Sequence, residues 1–307
     1  MKRWGVFVLV VLLAGGALWM SQRREATAEV GPGAILHFIA DTEREVSRLP
    51  FQLTRLSDAE EIRIGDELAG RYGTYPERPG AADFAQIQAY VQRVGAQVAA
   101  RAHRQLPFRF HYVAQPGFVN AFALPGGHVY FGQGLLALMD SEDQLAAVLG
   151  HESAHIDRYH CAERVQTEAR LRKLQLGIVG AVLQIPLAVF QAGYTKNQEL
   201  EADRVGLELA ARAGYSPMGM IRLFEKMQAM DRHPARAPET PQEEAAQVVF
   251  QTMGGYFRSH PYPAERIVEM RRLIAQNGWE SRTAEKPLAV WALLHPEKHA
   301  TPAAAKE

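Results

Sequence analysis

His151-Glu152-Ser153-Ala154-His155 sets two imidazoles four residues apart with a carboxylate beside the first. On a helix, residues four apart lie one turn apart on the same face, so both rings can reach one Zn2+ at about 2.0 Å. Glu152 is placed to act on a water at the metal instead of ligating it. A catalytic site of this kind needs a third protein ligand and one open position. The metzincin continuation would put Gly and His three and six places beyond the second His; those places hold Arg158 and Cys161, which excludes that branch. Downstream, Glu199-Leu200-Glu201-Ala202-Asp203 offers Glu199 and Asp203 on one helix face, with Glu201 about 200° away from Glu199. That fits Glu199 as the third ligand and Asp203 as the carboxylate that orients a ligand imidazole. Alone, this segment would read as a solvated acidic face, and the upstream histidines change its meaning. His160 lies five residues past His155, about 140° around a continuous helix, and is not expected to ligate. Cys161 reads as a small packing residue.

The elements that must hold these groups are partly visible. Ser141 and Gln144 have capping-box spacing at the start of the helix that carries the histidines. Ser57 and Glu60 do the same for a short helix ending near Gly70. Phe84, Ile87, Val91, Val94 and Val98 recur at helical spacing, which predicts an amphipathic helix over 83–103. Phe108, Phe110 and Tyr112 alternate with polar residues and predict a strand, followed by short strands around 118–124 and 128–131 with Pro125-Gly126-Gly127 as the turn. Helices follow, giving an α+β, mainly helical domain. The most loop-like stretch is 232–242, and the Pro/Ala-rich tail 283–307 is expected to be loosely held.

Composition narrows the chemistry further. The 307 residues carry 34 Lys+Arg against 34 Asp+Glu, which leaves no basic footprint for nucleic acid. One Cys cannot make an intramolecular disulfide or a thiolate-rich zinc site, so any metal must be held by His and carboxylates. Residues 4–20 are nearly all apolar, follow Lys2 and Arg3, and span about 25 Å as a helix. This predicts a membrane-directed segment within 1–30, read as an anchor in preference to a cleaved signal peptide, with the N-terminus in the cytoplasm and the remainder outside.

Four motifs in order, Asn120-Ala121-Phe122-Ala123-Leu124-Pro125-Gly126-Gly127, His151 to His155, Glu199 to Asp203 and Ser259-His260-Pro261-Tyr262-Pro263, make the chain similar to metallopeptidase family forty-eight, the gluzincin-type endopeptidases related to the CAAX prenyl protease. The resemblance runs from about Leu56 to Gly278. It implies one Zn2+ per chain held by His151, His155 and Glu199, with Glu152 as base and unfolded or misassembled polypeptides as substrates. It also implies that Asn120, Ala121, Phe122, Ala123 and Leu124 form an edge strand able to pair with a substrate backbone, in a small edge-exposed sheet packed on the zinc-binding helices. His260 is implied to approach the metal, either steadying the oxyanion or filling the open zinc position at rest. The family commonly has Ser-Arg where this chain has Tyr194-Thr195-Lys196. The domain is expected to occupy 31–280, with 281–307 as a tail. Leu174 to Thr195 is a 22-residue uncharged run, long enough for one bilayer crossing. A crossing would deliver Glu199 to the side opposite His151, so the run is expected to be a buried helix or hairpin.

Overall fold

Ser57 starts the first element. Its hydroxyl accepts the Glu60 amide at 3.3 Å, and the Glu60 carboxylate accepts the Ser57 amide at 2.9 Å, the reciprocal capping box that the spacing predicts. The helix that follows is α1 (Asp58–Tyr72). The computed structural model describes residues 55–72, 82–172, 185–191, 193–232, 256–257, 259–261 and 263–295. The apolar segment 4–20, most of the uncharged run 174–195 and nearly all of the stretch 232–242 lie outside the described residues. Among the described residues, no helix is long and apolar enough to cross a membrane.

Helix α2 (Ala82–Ala99) buries Ile87, Val91, Val94 and Val98, the stripe its periodicity predicts. It stops short of the expected residue 103 because Asp157 takes over the chain there, bonding the Arg104 amide at 2.7 Å and the His103 ring at 2.9 Å. Three strands follow, β1 (Arg109–Val113), β2 (Ala121–Ala123) and β3 (His128–Gly132). They form one mixed sheet in the order β1-β3-β2, with β1 parallel and β2 antiparallel to β3. The turn between β2 and β3 needs its glycines: Gly126 and Gly127 sit at φ 77° and 111°, and a Cβ on Gly126 would lie 2.6 Å from the Ile62 backbone. Side chains alternate across the sheet. Phe122, Leu124 and Tyr130 pack with Ile64 and Leu68 of α1, while Ala121, Ala123, Val129 and Phe131 join the main core on the other face.

The helical part comprises α3 (Gln133–Ala137), α4 (Glu142–Asp157), α5 (His160–Leu171), α6 (Lys196–Arg212), α7 (Gly219–Arg232), α8 (Pro263–Gln276) and α9 (Trp291–Leu294). All 16 residues of α4 are buried, since α2, α6, α7 and the sheet surround it. A helix buried on every side carries no clean amphipathic stripe, so His151 and His155 are held in the core and not on a rim. Residues 283–295 are not the loose tail expected from composition. Pro287 bridges to Ser141, the Glu142 amide donates to Lys286 O at 2.9 Å, and Leu288 and Val290 are buried in the main core.

Candidate metal centre

Two glycines set the distance between the helices that matter. Gly150, next to His151, faces Gly206 of α6; a Cβ on Gly206 would lie 2.6 Å from the His151 amide nitrogen. Backbones this close leave room for the side chains one turn away to meet. Ser141 caps α4 by accepting the Gln144 amide at 3.3 Å, as the spacing predicts. Helix α6 starts at a capping box of Thr195 and Gln198, in the segment that departs from the usual family pattern.

At the crossing, His151 Nε2 lies 3.1 Å from His155 Nε2 and 3.4 Å from Glu199 Oε2, and His155 Nε2 is 3.7 Å from Glu199 Oε1. His260 completes the cluster, with Nδ1 3.2 Å from both His151 Nε2 and Glu199 Oε2. The four possible ligand atoms all lie within 4.8 Å of one another. Ligands at about 2.0–2.1 Å around a tetrahedral ion stand about 3.3 Å apart, so these spacings match one zinc ion. Glu199 Oε1 is buried without a hydrogen-bond partner among the described residues, a lone pair that an ion would use. A His/His/Glu/His donor set of imidazole and carboxylate is the chemistry zinc takes.

Charge is balanced around this cluster by a residue the sequence reading missed. Arg266 of α8 is buried, and its guanidinium forks onto Asp203 at 2.6 and 2.7 Å while also reaching Glu199 Oε2 at 3.1 Å. Asp203 in turn accepts from His151 Nδ1 at 2.9 Å, which aims Nε2 at the cluster. Burial alone would raise both carboxylates. His260 and Arg266 outweigh it to hold Glu199 well below the usual range, and Arg266 does the same for Asp203. Burial pushes Glu152 the other way, to a raised pKa. Neither Glu152 oxygen has a hydrogen-bond partner among the described residues; His260 Nε2 is 3.3 Å from Oε1.

Strand β2 lies directly beside the cluster. His260 Nε2 is 3.4 Å from Ala121 O, and Asn120 Oδ1 accepts from Ser259 Oγ at 3.0 Å, so Asn120 and Ala121 pin the segment that bears His260. Ala123 O faces Cys161 Sγ at 3.7 Å, while Phe122 stacks on Tyr130 and Leu124 is buried with them. β2 is thus an edge strand by topology, but all three of its residues are buried. Burial raises the Cys161 thiol to about 12, consistent with a packing role.

The sequence profile of peptidase family M48 matches residues 83–274, from α2 through α8. The chain belongs to peptidase family M48. Its relatives include the beta-barrel assembly-enhancing proteases of Yersinia pestis and Escherichia coli K12, each 28% identical over 59% of this chain and 38% of their own length. The mitochondrial metalloendopeptidase OMA1 of Schizosaccharomyces pombe is 33% identical over 67% of this chain and 58% of its own. The chain therefore spans well under half the length of the bacterial relatives it matches. Peptidases of this family use zinc, and the cluster above fits one ion.

Three groups around the family's site escaped the sequence reading. Arg266 shares a helix face with Met270 and Ile274 of α8, both buried, and a charged residue on an apolar stripe is the signal that was available. Glu201, placed away from Glu199 by helical geometry, is buried against Arg158 and His160. Tyr194 stacks on His155, with ring centroids 3.8 Å apart and planes 15° apart.

Proposed function

We propose that this chain is a zinc endopeptidase that cuts unfolded or misassembled polypeptides in a bacterial cell envelope, tethered through residues 4–20. The observation that carries the reading is a buried carboxylate, Glu152, without a hydrogen-bond partner among the described residues, beside a His151/His155/Glu199 cluster at tetrahedral spacing. A purely structural site has no use for such a base. When bound, the ion polarises the scissile carbonyl and activates water. Glu152 would take a proton from the attacking water and later deliver it to the leaving amine, a task that its burial beside the cluster suits. Asp203, clamped by Arg266, keeps the His151 proton on Nδ1 and its lone pair on Nε2.

The substrate backbone would lie along β2. Ala121 O and Ala123 O on that edge are met by His260 and Cys161, so binding there requires His260 to give up its contact. The four-atom geometry favours His260 as the group that closes the resting site over the role of oxyanion donor. His260→Ala separates the two: closure predicts faster cleavage, whereas loss of an oxyanion donor predicts a fall of about 100-fold. The envelope assignment rests on the apolar segment 4–20 and on the bacterial relatives, whose name ties them to β-barrel assembly.

The decisive experiment measures zinc content and cleavage of an unfolded protein such as casein by wild type and Glu152→Gln. One zinc per chain in both, with cleavage in wild type alone, is expected. Zinc without cleavage in wild type and in His260→Ala would replace the peptidase reading with a zinc-containing peptide binder of the same fold.

A further inference from the structure

Helix α5 opens with a ring that the chemistry above does not use. His160 is fully buried, and its Nδ1 lies 2.9 Å from Nδ1 of His155. Its Nε2 lies 3.4 Å from Glu201 Oε2, and the other Glu201 oxygen accepts from Arg158 Nε at 2.6 Å. Neither His160 nor Glu201 belongs to the four-residue ligand group.

Among the described residues, the hydrogen bonds around His155 fit one arrangement. His155 turns Nε2 toward His151 and Glu199, so a lone pair there requires its proton on Nδ1. In a fully buried site that proton needs an acceptor, and His160 Nδ1 stands at hydrogen-bond distance. To accept, His160 must carry its own proton on Nε2, which then donates to Glu201. We infer that His160 is a positioning residue for the metal centre: through Glu201 it fixes the tautomer and ring plane of His155. Asp203 does this for His151 in one step, and Glu201 does it for His155 in two. The inference rests on the zinc-site reading above.

The test uses the full chain with zinc as the probe. His160→Phe keeps a buried ring and removes both nitrogens, His160→Asn restores an acceptor near the Nδ1 position, and Glu201→Gln leaves His160 in place. Zinc affinity, read by competition with a chromophoric chelator, should fall about 10- to 100-fold in His160→Phe, recover most of that loss in His160→Asn, and fall less in Glu201→Gln. Long-range 1H–15N spectra of the zinc-loaded protein should show His155 protonated on Nδ1 and His160 on Nε2. Wild-type zinc affinity in both His160→Phe and Glu201→Gln overturns the inference and leaves the zinc site standing. So does a fall in His160→Phe that matches its loss of metal-free stability and is not recovered by Asn, which marks a packing residue. If His160→Phe does not fold, Glu201→Gln and the spectra decide. A wild-type protein that takes up no zinc overturns this inference together with the reading beneath it.

Discussion

The Glu201–His160–His155 chain has a counterpart elsewhere in the molecule. Asp66 of α1, His128 of β3 and His111 of β1 are linked in the same way, carboxylate to imidazole to imidazole, at 2.9 and 3.0 Å. The two chains differ in how they end and in what surrounds them. His155 and His160 are sealed in the core, and the free nitrogen of His155 converges with His151 and Glu199. In the sheet, the Asp66 side chain is half exposed and is shared with Arg109 at 2.6 Å. There the terminal His111 ring stacks on Tyr130 with centroids 4.6 Å apart, and among the described residues no third ligand meets it. A hydrogen-bonded pair of imidazoles is therefore a way of fixing a ring. It becomes a metal centre only where a second and third donor arrive at tetrahedral spacing.

That contrast is broken most sharply by removing one imidazole from each chain. His151→Ala is expected to lower zinc affinity by about 1,000-fold and to abolish cleavage, because one of only a few protein ligands is lost. His128→Ala should leave one zinc per chain and cleavage within about 3-fold of wild type, since His128, although buried, lies outside the four-residue ligand group, so its loss is expected to show in stability and not in metal binding. Glu152→Gln sits between these in kind: zinc is retained while kcat falls about 100- to 10,000-fold. Zinc content with kcat on one unfolded substrate reads all three, and loss of zinc in His128→Ala would erase the distinction between the clusters.

The helix crossing gives the next effect in size. Gly206→Ala gains about 1 kcal/mol of helix propensity. It also drives a methyl group to 2.6 Å from the His151 backbone nitrogen, where backbone cannot yield as a flexible side chain would. Overpacking of this kind costs about 1–3 kcal/mol, so the net expectation is destabilisation with weaker zinc binding. Gly70→Ala in α1 meets nothing within 4 Å and should instead stabilise by about 0.5–1 kcal/mol. Urea melts of the two variants should move in opposite directions.

The candidate ligands His151, His155 and Glu199, and Asp203 behind them, were legible because their relation is local: the i,i+4 spacing of His151 and His155, and of Glu199 and Asp203, is fixed by the helix itself. Their supports were not, because each depends on how the chain turns between elements. His160 was placed by extending one helix past His155. The helix in fact ends at Asp157, and Tyr159, at φ 65°, turns the chain so that α5 brings His160 back against His155. Arg266 and Glu201 approach from other helices, and nothing local in sequence states which face meets the site. The strands and the turn between them were legible through alternation and glycine. The burial of β2 was not, since it depends on α1, α5 and the His260 segment closing over it. Residues 283–295 looked loose by composition, yet they pair with the start of α4.

The smallest expected effect belongs to the sheet chain, and its sign follows from proton counting. Burial is the largest influence on His111, with the neighbouring His128 and Arg109 adding to it, and together they push its pKa down to about 4. His128 is also lowered by burial, against the pull of Asp66. In the unfolded chain an imidazole takes up a proton near pH 6.5. Between that pH and about 4 the unfolded state therefore binds more protons than the folded one, so stability falls as pH falls. This contribution is complete above about pH 6.5 and is lost on acidification, at up to about 1.4 kcal/mol per pH unit for His111. His111→Phe keeps a ring to stack on Tyr130 and removes the proton site. Denaturant melts at pH 7.5 and pH 5 should show wild type losing about 1–2 kcal/mol more than His111→Phe over that interval. Equal losses would mean that His111 takes up a proton in the folded sheet without cost, and the half-exposed Asp66 end of the chain would then be screening it from the burial that the core imposes on His155.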